Sequence, residues 1–413
     1  MGGEDLPVPW KACGVLEERV RFVVAVERGE ASVTSLCAAY GISRETGHKW
    51  LRRWRDGGAE ALQDGSRAPL RRPQALPVAI VEGLLEKRRE HPGWGARKLL
   101  AVLREERPAL PWPAASTAHE VLRAGGLVAG RRRHRGAVPR ERPFAEATRP
   151  NDEWAIDFKG WFRTACGTRC DPLTVSDTAS RMLLECRIMA PETASVAAAC
   201  ERLFRTHGLP GRMRMDNGPP FGSRGAAGLT RLTVGWLKLG IELVSIAPGT
   251  PAQNARHERL HGTMQREVGQ RPAATPAELQ AWFDSFRAEY NEVRPHEALG
   301  QVPPARLWRP SARRYPPLIL PPWYGAEEDV QVVDRQGEIT WRGQGLFIGS
   351  ALAGEPIGLR ELPGGDWLAR FMKVELGVIE RRGRGFLPYG PARPGWPIRQ
   401  QNNPETVRDV AGL

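Results

Sequence analysis

The spacing of apolar residues divides the chain into stretches of different period. Residues 15–29 set Leu16, Val20, Val23 and Val24 at helical intervals and stop at Gly29. In the following VTSLCAAYGISRETGHKWLRRW, the run from Val33 to Ala39 predicts a second, short helix. Gly41 supplies a turn that tolerates positive φ, and Ser43 stands where a helix cap belongs. Thr46, Gly47, Trp50, Leu51 and Trp54 then recur at helical spacing. Helix, tight turn and capped helix in this order predict a helix-turn-helix. A basic, Pro-rich linker covers 65–77. Beyond it, the segments 78–90, HPGWGARKLLAVLREE and STAHEVLRAGGLV predict three more helices, with Ser116 capping the last and Gly125-Gly126 ending it. They read as a second helix-turn-helix-like module.

The period changes after residue 150. Trp154, Ile156 and Phe158 alternate with Ala155, Asp157 and Lys159, which predicts a strand with a carboxylate in its middle. DPLTVSDTASRMLLECRIM gives two more strands joined at 177–180, and a helix is expected over 194–207. A short strand, 212–215, ends in Asp216-Asn217-Gly218. IELVSIAPGTPAQNARHERLHGTMQREV runs from strand through a Pro/Gly loop into a helix that contains Glu258. Over 320–390, short alternating stretches with Gly at the turns predict a small all-β barrel. The expected layout is multidomain. A helix-turn-helix domain spans 1–66, and a second such module with its basic linker spans 67–142. An α/β core covers 143–310, the β-barrel 320–390 and a tail 391–413.

Charge narrows the function. With 60 Lys and Arg against 47 Asp and Glu, the net charge is +13, which favours an anionic partner such as DNA. In the first module the N-terminal residues of the second helix, Arg44, Thr46 and His48, with Arg52 a turn later, are placed to meet a major groove. RRRHRGAVPRER, with Arg131, Arg132 and Arg133, suits contact with phosphates. No run of 18 apolar residues exists to span a bilayer. The N-terminus lacks the features of a signal peptide, so a cytoplasmic protein is expected. Six cysteines occur without zinc-finger spacing, and Cys166 and Cys170 read as thiols around a turn.

Three carboxylates suggest the chemistry. Two-metal phosphodiester cleavage needs hard oxygen ligands holding Mg²⁺ or Mn²⁺ about 3.5–4 Å apart. Asp157 in mid-strand suits a bridging ligand, with Asp216 at a strand end and Glu258 near a helix start each taking one of two ions. Arg259, Arg266 and His261, the last one turn after Glu258, stand on the same helix as candidate contacts to DNA phosphates. Asp177 reads as a turn or capping residue, Asp152 and Glu153 as exposed, and Glu267 as facing away from Glu258. The strip YNEVRPHEALG reads as packing for the core rather than as DNA contact.

WAIDFKGWF, VSDTASR, MDNGPPF, PGTPAQNARHERLHGTMQRE and YNEVRPHEALGQVPPARLW together resemble the integrase catalytic core of bacterial insertion-sequence transposases. The resemblance covers roughly 150–310, and the tandem N-terminal modules share it more loosely. It implies an RNase H-like fold, a D,D,E triad at Asp157, Asp216 and Glu258, and Mg²⁺ dependence. It also implies cleavage at transposon ends and strand transfer into target DNA by a dimer or larger homo-oligomer at the bacterial nucleoid. The sequence departs from the family at three points: 41 residues separate Asp216 from Glu258, Ala255 stands where Gly is usual, and Met215 precedes Asp216. A transposase-derived DNA-binding protein with a weakened core is the alternative. A transcriptional regulator would leave 150–310 unexplained, and a nuclease that cuts without joining would share every ligand.

Overall fold

The structure is a computed structural model that describes residues 14–64, 76–128, 147–246, 255–268, 272–381 and 385–390. Arg131, Arg132, Arg133, Cys13 and the loop holding Asn254 lie outside the described residues, as does the side chain of Ala255. The chain divides into two compact units, Met1–Leu76 and Pro77–Leu413.

In the first unit α1 (Val15–Glu27), α2 (Val33–Ala39) and α3 (Arg44–Gly57) close around Phe22, Val23, Leu36, Cys37, Trp50, Leu51 and Leu62. Gly41 takes φ +65, and Ser43 Oγ accepts the Thr46 N–H at 3.1 Å, so turn and cap form as their chemistry dictates. Gly47 matters for packing: a Cβ there would lie 2.4 Å from Cys37 Sγ, so only glycine lets α3 approach α2 this closely. Arg44, His48 and Arg52 are exposed, whereas the Thr46 hydroxyl is engaged by Ser43 at 2.9 Å.

The second unit begins with α4 (Val78–Glu90), α5 (Ala96–Glu106) and α6 (Ala115–Ala124). Ser116 is not the cap of α6. The helix starts one residue earlier, behind Ala114, and no side chain caps it. This helical module belongs with the α/β core. Arg306 donates to both carboxylate oxygens of Glu105 at 2.8 and 2.6 Å, and His91 Nδ1 lies 2.9 Å from Glu289.

The core sheet comprises β1 (Glu153–Phe158), β4 (Pro172–Asp177), β5 (Leu183–Ile188), β6 (Arg212–Met215) and β7 (Glu242–Ser245), in the order β5-β4-β1-β6-β7. A small hairpin, β2 (Phe162–Arg163) with β3 (Arg169–Cys170), precedes β4. β1 pairs antiparallel with β4 and parallel with β6. On one face, Trp154, Ile156, Leu173, Val175 and Met213 pack against α7 (Thr193–His207) and α8 (Arg231–Lys238). On the other, Leu183 and Cys186 pack against α9 (Ala255–Glu267) and α10 (Pro276–Ala288). With both faces covered, β1 is buried from Glu153 to Ile156. Glu153 is therefore not exposed. It is 2% accessible, and its two oxygens accept from Arg214 at 2.9 and 3.0 Å. A neighbouring strand supplies the counter-charge that strand end needs.

After the short α11 (Pro304–Leu307) the chain enters β8 (Asp329–Val332), β9 (Glu338–Trp341), β10 (Gln344–Phe347), β11 (Pro356–Glu361), β12 (Trp367–Phe371), β13 (Val374–Ile379) and β14 (Phe386–Pro388). They form a five-stranded antiparallel sheet, β14-β13-β12-β11-β8, and a separate ribbon of β9 and β10. The region is all-β as expected, but among the described residues no pairing closes it into a barrel. The segment between Asp216 and Glu258 that looks like an insertion builds α8. It joins core to sheet: Lys238 pairs with Glu355 at 2.7 Å, and the Ala227 N–H donates to the Tyr389 carbonyl.

Candidate active site

The sheet register brings the first two carboxylates together. Glu153, Trp154 and Ala155 of β1 lie beside Arg212, Met213 and Arg214 of β6. Continued by two residues, the same parallel register sets Asp157 beside Asp216, on strands spaced about 4.8 Å apart. Trp154 and Ile156 belong to the core behind α7, so alternation turns Asp157 to the opposite face, where α9 lies. Glu258 is exposed in the first turn of α9. Partial burial, then the charge of Asp216 and that of Glu258, push the Asp157 carboxyl up to about 7. Burial raises Asp216 as well, while the Gly218 N–H pulls it back. Asn217 fixes the turn after Asp216 by donating Nδ2–H to the Ile246 carbonyl at 2.5 Å.

His257 and His261 are not at the surface. They are 2% and 8% accessible. His261 was expected to reach phosphate, but its ring faces the sheet because residues one turn apart on α9 share one face. Both Nε2 atoms lie 2.7 Å from Thr174 Oγ1, which also donates to the Asp157 carbonyl at 3.1 Å. A hydroxyl has one proton and two lone pairs, so both imidazoles donate into it. Ser176 Oγ donates to His257 Nδ1 at 3.1 Å. Burial lowers His257 to about 4 and His261 to about 2, so both rings are neutral. Thr174 is the cross-strand partner of Asp157. This network therefore bolts α9, and Glu258 on it, to the backbone of Asp157. One ligand atom each from Asp157, His257 and His261 fits within 4.8 Å. His257 has both ring nitrogens engaged, by Thr174 and Ser176, and is a poor ligand, whereas His261 has its Nε2 engaged by Thr174.

Sequence reasoning missed Thr174 and Ser176. Their signal was present: two hydroxyls alternate with Leu173 and Val175 in an otherwise apolar strand. Asp177 is a turn residue, with one oxygen accepting from the Ser180 N–H and hydroxyl and the other from the Asn151 N–H. Glu267 pairs with Arg294, away from the triad. In the strip 290–300, Asn291 bonds both the N–H and the carbonyl of Leu183, and Tyr290 is buried against His296. Arg259 and Arg266 are exposed on α9. Cys166 is exposed in the β2–β3 turn and Cys170 buried. No metal-ligand group among the described residues includes a cysteine.

Residues 239–304 match the integrase core domain family, 46–122 a homeodomain-like domain and 18–69 a helix-turn-helix domain. The chain is 31% identical over 239 residues to the insertion element IS407 uncharacterized 31.7 kDa protein of Burkholderia multivorans (strain ATCC 17616 / 249), covering 57% of this chain and 80% of that one. It is 29% identical over 237 residues to the insertion element IS476 uncharacterized 39.2 kDa protein of Xanthomonas euvesicatoria, covering 57% of this chain and 66% of that one, just short of two thirds of its length. Among solved structures, the HTLV-2 integrase catalytic core domain in complex with magnesium (trimeric form) aligns over 39% of this chain and 99% of its own, at 14% identity and a TM-score of 0.31. The catalytic core domain of BIV integrase aligns over 38% and 93%, at 18% identity and 0.30. This chain belongs to the insertion-sequence transposases, polynucleotidyl transferases with an integrase core.

Proposed function

We propose that the protein binds the ends of its own mobile element and carries out metal-dependent strand cleavage and transfer into target DNA, with Asp157, Asp216 and Glu258 as the metal ligands. The observation that supports this reading is the gathering of carboxylates around Asp157, whose carboxyl is raised by burial and by the charges of Asp216 and Glu258. An all-oxygen anionic donor set suits hard Mg²⁺ or Mn²⁺. When bound, such ions activate the attacking oxygen and neutralise the leaving one.

The chain's own residues then divide the work. Asp157 is held by β1 and by the Thr174 hydroxyl on its backbone, so the ligands keep their spacing without substrate. Arg259 and Arg266 serve the phosphates of the strand being cut. Arg44, Thr46, His48 and Arg52 read bases in the major groove, and Arg131, Arg132 and Arg133 add phosphate contacts. Holding two DNA ends calls for a homo-oligomer, and the basic charge suits residence on nucleoid DNA. The weakened-core alternative is disfavoured because all three carboxylates are present. The test is a strand-transfer assay on labelled end DNA. Asp157→Asn, Asp216→Asn and Glu258→Gln should each abolish cleavage and joining while retaining DNA binding. Wild-type cleavage by any one of them would remove that residue from the set.

A further inference from the structure

We propose that Arg181, Arg256 and Arg259 form a binding site for one backbone phosphate of the DNA strand next to Glu258. The inference rests on the DNA-cutting reading and adds a built anion site to it. Arg181 closes the turn between β4 and β5 with φ +67, a conformation that side-chain-bearing residues seldom adopt. The turn is held firmly, by the Asp177 carboxylate on Ser180 and by the Arg181 N–H on the Asp177 carbonyl at 3.0 Å. Arg181 Nε is buried and has no hydrogen-bond partner. A buried, unpaired guanidinium N–H is costly, so an acceptor is missing there.

A second guanidinium, that of Arg256, reaches the same turn, and the charge of Arg259 acts on Arg181 as well. Arg256 Nη1 donates to the Thr178 carbonyl within it, at 3.1 Å. Arg259 lies one helical turn further along α9, on the same side, and Glu258 stands between the two in sequence. Burial, Arg256 and Arg259 all act against the charge on Arg181 and bring it down to about 10. The nearby acids are committed elsewhere: Asp177 to Ser180 and Asn151, Glu267 to Arg294. Arg181 and Arg259 have no acidic partner among the described residues. Arg181 and Arg259, like charges near one another without a salt-bridged acid, favour a bound anion, and forked guanidinium donors suit the oxygens of a phosphate. Because Arg256 and Arg259 flank Glu258 on the first turn of α9, the phosphate held there belongs to the strand lying in the cleft.

The experiment uses the full chain in an Asp157→Asn background, so that binding is read without cutting. Duplexes of the element's end carry one neutral methylphosphonate at successive positions around the cleaved bond. Arg181→Asn removes the charge yet tolerates the left-handed turn, and the exposed Arg259→Gln provides a variant free of that constraint. The parent protein should lose fivefold or more in affinity at one phosphate. Both variants should bind the unmodified duplex correspondingly more weakly, lose nothing further at that phosphate, and show a salt slope reduced by about 0.9 for each contact removed. Without DNA, Arg181→Asn should melt at or above the parent temperature, since it relieves a buried repulsion. Equal losses at every position for parent and variants, or an unchanged salt slope in Arg259→Gln, would overturn the site. A parent protein indifferent to all the neutralised phosphates would instead refute the DNA-cutting reading itself.

Discussion

Asp157→Asn should stabilise the metal-free protein and abolish its response to Mg²⁺. The Asp157 carboxyl sits at about 7 in the fold against an ordinary 3.8. That is about three pKa units at 1.36 kcal/mol each, so its ionised form costs the fold about 4 kcal/mol. A carboxylate raised in the folded state means that the folded chain holds the extra proton. The penalty is therefore absent below pH about 4, grows between pH 4 and 7 and is complete above pH 7. The Asn amide keeps a desolvation cost of about 2 kcal/mol, which leaves a gain of about 2 kcal/mol at pH 8. At roughly 2–4 °C per kcal/mol, the variant should melt about 4–8 °C higher in EDTA. Mg²⁺ at a hundred times its Kd should raise the wild type by about 2.7 kcal/mol and the variant hardly at all, so saturating metal closes or reverses the gap. Thermal melts of both proteins at pH 5 and pH 8, in EDTA and in MgCl₂, measure each quantity. A variant that melts at or below the wild type in EDTA at pH 8 refutes the reasoning. So does a wild type that gains nothing from Mg²⁺.

Other consequences follow from the same geometry. Thr174→Val leaves two imidazole N–H groups unpaired and removes the hydroxyl from the Asp157 carbonyl, and should weaken Mn²⁺ binding about 10–100-fold, whereas Thr174→Ser should keep it; Mn²⁺ titrations followed by electron spin resonance decide, and equal affinity for all three proteins refutes the role. Asn291→Ala strips both bonds to Leu183 inside the core and should cost about 1–3 kcal/mol for each group left unsatisfied, read from urea unfolding. Arg44→Ala or His48→Ala should narrow the preference for end DNA over random DNA, while neutralising Arg131, Arg132 and Arg133 should weaken both alike and lower the salt slope by up to roughly 3. Titrations on both DNAs at several salt concentrations separate these effects, and an unchanged preference in Arg44→Ala and His48→Ala would remove α3 from base reading.

The sequence alone determined what depends on neighbours along the chain. Gly41 and Ser43 specify the turn and cap between α2 and α3 through local φ and a local hydrogen bond. Asp157, Asp216 and Glu258 were singled out as candidate ligands less by their places in a strand, at a strand end and on a first helical turn than by the resemblance of the surrounding motifs to an integrase core. The division into helical modules, α/β core and β region came from period and composition. What the sequence could not reveal were relations between segments far apart in the chain. Glu153 reads as an exposed acid until Arg214, brought alongside it by parallel pairing, makes it a buried ion pair. His261 reads as a phosphate ligand until α9 lies on the sheet and turns its ring towards Thr174. The helical module over Pro77–Ala124 reads as a separate reading head until Glu105 meets Arg306 and His91 meets Glu289. In each case the residue types permit several partners, and burial chooses among them. A charged or polar group removed from water must find its complement in whatever segment the fold sets beside it.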